Sequence, residues 1–130
     1  ARWTPGEVTA LIDYLHDHHA EHSEAGNFKD TTYNAAAAAL RPLYNNIGAI
    51  KTGKMVGSKW AALKATYNVI ESYRSQSGVH WGNDCGANIQ GEDAAALWTQ
   101  YLEQKGSTAM KPFRNNGWGY YEKIHEIFPS

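Results

Sequence analysis

Four lysines lie close together in the segment KTGKMVGSKWAALKATYNVI, residues 51–70: Lys51, Lys54, Lys59 and Lys64. Ammonium groups gathered in one place attract polyanions, and a local basic stripe is the electrostatic footprint of a nucleic-acid contact. The stripe stands out because the rest of the chain is acidic. Residues 51–76 carry five basic side chains against Glu71 alone, while residues 1–50 carry a net −3 and residues 77–130 a net −2. With a total of −1 and a pI near 6.7, the chain is no histone-like polycation.

Two other groups invite chemistry. His16, His18, His19 and His22 crowd one short stretch, and His18 and His22 are four residues apart, a spacing that can ligate zinc from one helix. No cysteine pair or second histidine pair completes a tetrahedral set, so no metal site is expected. Imidazoles near a helix C-terminus gain from the dipole in any case. His80 and Cys85 in HWGNDCG raise the question of a thiol nucleophile. Such a nucleophile needs an orienting base and an oxyanion site on a firm scaffold, and this glycine-rich segment offers no third member. The expectation is a protein that is not an enzyme, with no catalytic residues and no cofactor.

These side chains must be positioned by helices. Val56, Trp60, Leu63, Tyr67 and Ile70 recur at helical steps and draw one apolar stripe, opposite a face of Lys54, Ser58, Ala61 and Ala65. Thr52 caps this helix, which runs to about Arg74. Upstream, RWTPGEV is a helix start: Thr4 as N-cap, Pro5 at the first position, Glu7 closing a capping box, and Trp3 and Val8 placed for a hydrophobic staple. Val8, Leu11, Ile12 and Leu15 continue its apolar face, and Gly26 is a stop. A second helix opens after Lys29, with Asp30 or Thr31 as its cap, and buries Tyr33, Ala36, Ala37 and Leu40 before Pro42 breaks it. NNIGAIKTG is a loop. GVHWGNDCGANIQG is rich in turn residues and predicts a small β-hairpin. Two further helices follow, about 93–104 with Leu97, Trp98, Tyr101 and Leu102, and about 119–128 with Tyr120, Tyr121, Ile124 and Ile127. KGSTAMKPFRNNGW between them reads as irregular.

At 130 residues the chain is most simply one domain, with a three-helix core over 1–76 and a hairpin and helical extension over 77–130. Cys85 is the only cysteine, which fits a reducing compartment. No apolar run reaches the roughly 20 residues that cross a bilayer, so no membrane partner is expected. No signal peptide is visible, which points to an intracellular protein. The chain starts at Ala1 without an initiator methionine, as a fragment would.

Taken in order, RWT, SKWAALKATYNVI, SGVHWG, LWTQYL and KPFRNNGW…YY…IHEIF resemble successive landmarks of the Myb/SANT-like DNA-binding domain, a family of fungal and plant proteins often associated with transposable elements and similar to trihelix domains. The resemblance implies a mainly α fold: a three-helix Myb/SANT-like helix-turn-helix core with a small β-hairpin and a two-helix C-terminal extension. It further implies that the third helix enters the major groove of double-stranded DNA while the first two brace it. On that view Lys51, Lys54, Lys59 and Lys64 contact phosphate, Ser58 reaches a base edge and Ala61 touches a thymine methyl group. The sequence departs from Myb repeats where they commonly place Lys and Asn around the third-helix tryptophan. Here Gly57, Ser58 and Lys59 precede Trp60 and Ala61 follows it, so direct base readout is expected to be weak and affinity modest and salt-dependent. The expected setting is a nuclear transcription regulator or a transposon-derived protein. The competing expectation is a SANT-type protein-interaction module, with the small residues Gly57, Ser58, Ala61 and Ala65 as a packing face for a protein partner.

Overall fold

The computed structural model describes residues 2–21, 27–44, 50–76, 79–104 and 107–128. It is mainly helical. The α-helices are α1 (Pro5–Asp17), α2 (Asp30–Leu40), α3 (Gly53–Arg74), α4 (Glu92–Leu102) and α5 (Tyr121–Ile127), joined by short 3-10 segments. The longest 3-10 segment, Thr108–Phe113, lies where the sequence suggests irregular chain. The chain divides into two compact units, one of residues 1–63 with 123–130 and the other of residues 64–122. The division falls inside α3.

In the first unit, α1 starts as its residues dictate. Thr4 Oγ1 accepts the Glu7 amide at 3.1 Å, Glu7 Oε1 accepts the Thr4 amide at 3.0 Å, and Pro5 occupies the first turn. Val8, Leu11, Ile12 and Leu15 are buried, as their spacing requires. The stop expected at Gly26 lies outside the described residues. At the start of α2 the cap position falls on Lys29, whose side chain makes no capping hydrogen bond, so Asp30 is the first helical residue. Ala36, Ala37 and Leu40 face the core, and Trp60 of α3 is fully buried there. Its ring stacks with Phe128 at 6.0 Å and meets Phe28 edge-on at 6.0 Å.

The second unit is organised by aromatic contacts. Tyr67 stacks on Tyr121 at 5.6 Å, Trp81 meets Phe113 edge-on, and Tyr73 meets both Trp98 and Tyr101 edge-on. Tyr121 hydroxyl sits between the Glu71 carboxylate and the Arg74 guanidinium, tying α3 to the start of α5. Burial and the Glu71 carboxylate both push that phenol well above its ordinary pKa, so it stays protonated and donates to Glu71.

The expected hairpin is not formed. Among the described residues there are no strands, only one antiparallel bridge in which Gly82 and Gly86 exchange two 2.8 Å backbone hydrogen bonds. The ladder stops there because the next donor in register, the Asn88 amide, turns back to the Cys85 carbonyl at 3.1 Å, while the outward Ala87 and Ile89 amides reach the Phe113 and Arg114 carbonyls at 2.9 and 3.2 Å. Gly86 has φ +61°, and a β-carbon there would fall 2.2 Å from the Phe113 carbonyl oxygen. Gly86→Ala is therefore expected to cost about 2 kcal/mol or more, from left-handed strain and a backbone clash. A denaturant melt that leaves the midpoint unmoved would refute this.

Candidate nucleic-acid interface

The first turn of α3 is set by Thr52, whose side-chain oxygen accepts the Met55 amide at 3.3 Å. Two glycines follow where helix propensity would favour alanine, and the structure supplies the reason. A β-carbon on Gly53 would lie 1.8 Å from Asn34 Oδ1 and 3.1 Å from the Asn34 α-carbon. One on Gly57 would lie 3.3 Å from the Tyr33 ring. Both glycines let α2 approach α3 closely. Gly57 is thus used inside the fold.

Val56, Trp60, Leu63, Tyr67 and Ile70 are all buried, so the apolar stripe faces inward. Lys54, Ser58, Ala61 and Ala65 on the opposite side are exposed. Lys59 and Lys64 are half-buried. Five residues apart on a helix, they project about 140° from each other with the buried stripe between them, so they stand on the two flanks of α3, away from the centre of its exposed side. The exposed surface of α3 is therefore a narrow, small-residue ridge with ammonium groups on it and beside it. Such a surface can approach a polyanion closely, and Ser58 puts a hydroxyl on its centre line.

Lys51 does not belong to this surface. Its side chain is 1% exposed and its Nζ lies 3.2 Å from both carboxylate oxygens of Glu7, itself 3% exposed. The ammonium also sits 5.3 Å from the centre of the Trp3 ring. The expectation that Lys51 contacts phosphate is thus corrected: burial and the Glu7 carboxylate commit its charge to the fold. Burial raises the Glu7 pKa, but the Thr4 amide and the Lys51 ammonium together outweigh it and hold the carboxyl below its ordinary value. The local sequence gave no sign of this pair, because Glu7 already had a role in the capping box and Lys51 is 44 residues away.

His18 Nδ1 donates to the Tyr14 carbonyl at 2.8 Å and its ring stacks on Tyr14, while His19 Nδ1 donates to the His16 carbonyl at 2.8 Å. These imidazoles satisfy carbonyls at the end of α1; His22 lies outside the described residues. Cys85 Sγ is 3.6 Å from His80 Nε2, but partial burial and the Asp84 carboxylate push its thiol pKa up, the reverse of what a thiolate nucleophile needs. Lys111 and Arg114 are exposed, with Arg114 donating to Asn115 Oδ1 at 2.7 Å. Trp98, Tyr101 and Tyr121 are buried, as packing rather than base-stacking residues would be.

The family model of the Myb/SANT-like DNA-binding domain matches residues 2–101. The chain belongs to the Myb/SANT-like DNA-binding domain family. A DNA-binding role, in general terms, follows for this Myb/SANT-like chain, and DNA is the partner that membership suggests. Comparison with curated proteins and with solved structures gives no match. The match runs from the start of α1 into α4 and so includes the whole of α3 with Lys54, Lys59 and Lys64. Among the described residues, no helix of this Myb/SANT-like domain is long and apolar enough to cross a membrane.

Proposed function

We propose that this Myb/SANT-like domain binds double-stranded DNA by laying the exposed side of α3 in the major groove. The groove is about 12 Å wide and admits one α-helix. Lys54, Lys59 and Lys64 contact phosphate, Ser58 reaches a base edge, and Ala61 lies against a thymine methyl group. The protein acts in the nucleus, within a transcription regulator or a transposon-derived protein, and has no catalytic activity. The observation that carries the reading is the exposure of Lys54, Ser58, Ala61 and Ala65 along one side of α3, opposite its fully inward apolar stripe. The competing SANT-type role would use Gly57, Ser58, Ala61 and Ala65 as a packing face for a protein. Tyr33 already lies against Gly57, which removes one member of that face.

Binding of a duplex pool across a salt series tests the reading. Each phosphate contact contributes a slope of roughly −0.9 to log K against log salt, so three lysines give at most about −3. Lys54→Glu is expected to weaken binding by about tenfold at low salt and to flatten the slope by about one contact. Ser58→Ala is expected to leave the slope alone and relax sequence preference. Affinity indifferent to salt, or to Lys54→Glu, refutes the proposal.

A further inference from the structure

The helix α4 does not bury the stripe its sequence suggests. Trp98 and Tyr101 turn inward, while Leu97, one step round the helix from Trp98, is 66% exposed, the most exposed large apolar side chain among the described residues. Leu97 borders a groove of about 340 Å³ whose walls include Tyr73, Trp98, Tyr101 and Ile89. That volume falls in the range of ligand-binding clefts, roughly 300–1,000 Å³. Among the described residues no charged side chain lines the groove; Gln100 and Gln104 supply amides at its edge.

The charges on α4 have one sign; on the Ile89 side stands Arg114, whose carbonyl accepts the Ile89 amide and whose guanidinium donates to Asn115 Oδ1. Residues 79–104 carry Asp84, Glu92, Asp93 and Glu103, with no lysine or arginine before Lys105. Glu92 and Asp93 at one end of α4 and Glu103 just past the other are all exposed. Arg74, next to Tyr73, is held by Glu71 and the Tyr121 hydroxyl. An apolar trough between carboxylates repels phosphate and favours a basic partner.

We propose that this groove docks an amphipathic basic segment of another protein. Aliphatic side chains three or four residues apart on that segment enter beside Leu97 and the Trp98–Tyr101 aromatics, and flanking lysine or arginine side chains meet Glu92, Asp93 and Glu103. The groove's lining includes none of the lysines of α3, so on this reading one chain carries a polyanion-binding surface and a cation-preferring one.

Titration of the full chain with a synthetic amphipathic peptide of leucine and lysine, against the same peptide with glutamate in place of lysine, tests the inference. The lysine peptide is expected to bind at least about tenfold more tightly. Leu97→Ser changes an exposed residue and so preserves the fold; it is expected to weaken the lysine peptide by about tenfold while duplex DNA affinity stays unchanged. Glu92→Gln with Asp93→Asn and Glu103→Gln should bring the two peptides closer together in affinity. Equal binding of both peptides, or a Leu97→Ser chain that binds as well as the parent, overturns it. Loss of DNA binding in every form, with the peptide pattern intact, refutes the DNA reading alone.

Discussion

Lys51→Ala is expected to destabilise the first unit by about 3–5 kcal/mol, because it leaves the Glu7 carboxylate buried without its counter-charge. The side chains of both partners are almost wholly shielded from water, so solvent screening cannot rescue the survivor. Lys54→Ala, on the exposed side of the same neighbourhood, should stay within roughly 0.5 kcal/mol. Denaturant melts of the two variants separate a structural lysine from a surface one, and equal midpoints would refute the assignment. The double change Glu7→Gln with Lys51→Met should recover much of the loss, since a buried pair replaced by matched neutral groups is often close to neutral.

The pair also sets a pH dependence. The Glu7 carboxyl is held below its ordinary value in the fold, so the folded state binds fewer protons than the unfolded one near that value. The associated stability is complete above the unfolded pKa, near 4.5, and is lost as pH falls through the lower folded value. Melts of the parent chain should therefore weaken below about pH 4.5, and the Glu7→Gln/Lys51→Met chain should lose less over the same interval.

Trp60→Ala should cost about 3–5 kcal/mol, the usual toll for truncating a large buried aromatic. Trp60 is fully buried and makes ring contacts with Phe28 and Phe128, from opposite ends of the sequence. Its loss removes those contacts and opens a void that α2 and α3 cannot close, because Asn34 and Tyr33 already press against Gly53 and Gly57. Against a total stability of roughly 5–15 kcal/mol, the thermal midpoint should fall by about 10 °C or more. A variant that melts with the parent would show that the α3 stripe is not the keystone of this core. DNA affinity should fall with the folded fraction, in contrast to Lys54→Glu, which should lower affinity without moving the melt.

Much of the architecture was legible because it depends on neighbours in sequence. The Thr4–Glu7 capping box spans three residues, the Thr52 cap spans three, and the five-residue apolar stripe of α3 is a period that survives any tertiary arrangement. The exposed side of α3 followed from the same period. The expected hairpin failed because turn chemistry brings two glycines together but cannot say where the next donor goes; the Asn88 amide turned back to Cys85, and Ala87 and Ile89 found carbonyls in the Thr108–Phe113 segment and just after it. Of the apolar residues named for α4, Leu97 stays exposed, because two adjacent apolar residues leave the rotation of a short helix ambiguous until the aromatic contacts of Trp98 and Tyr101 fix it.

The sequence by itself determined the helices, their caps, the inward face of α3 and the family landmarks, all consequences of backbone geometry and short-range spacing. Tertiary structure alone decided which of the four lysines is offered outward. Lys51 and Lys54 look alike in a sequence, but one meets a carboxylate contributed from 44 residues away and the other meets water. The same holds for Gly53 and Gly57, whose missing side chains make sense only once Asn34 and Tyr33 are seen against them. Long-range contacts carry no local signature, so the composition of an interface can be proposed from sequence, while its membership is settled by packing.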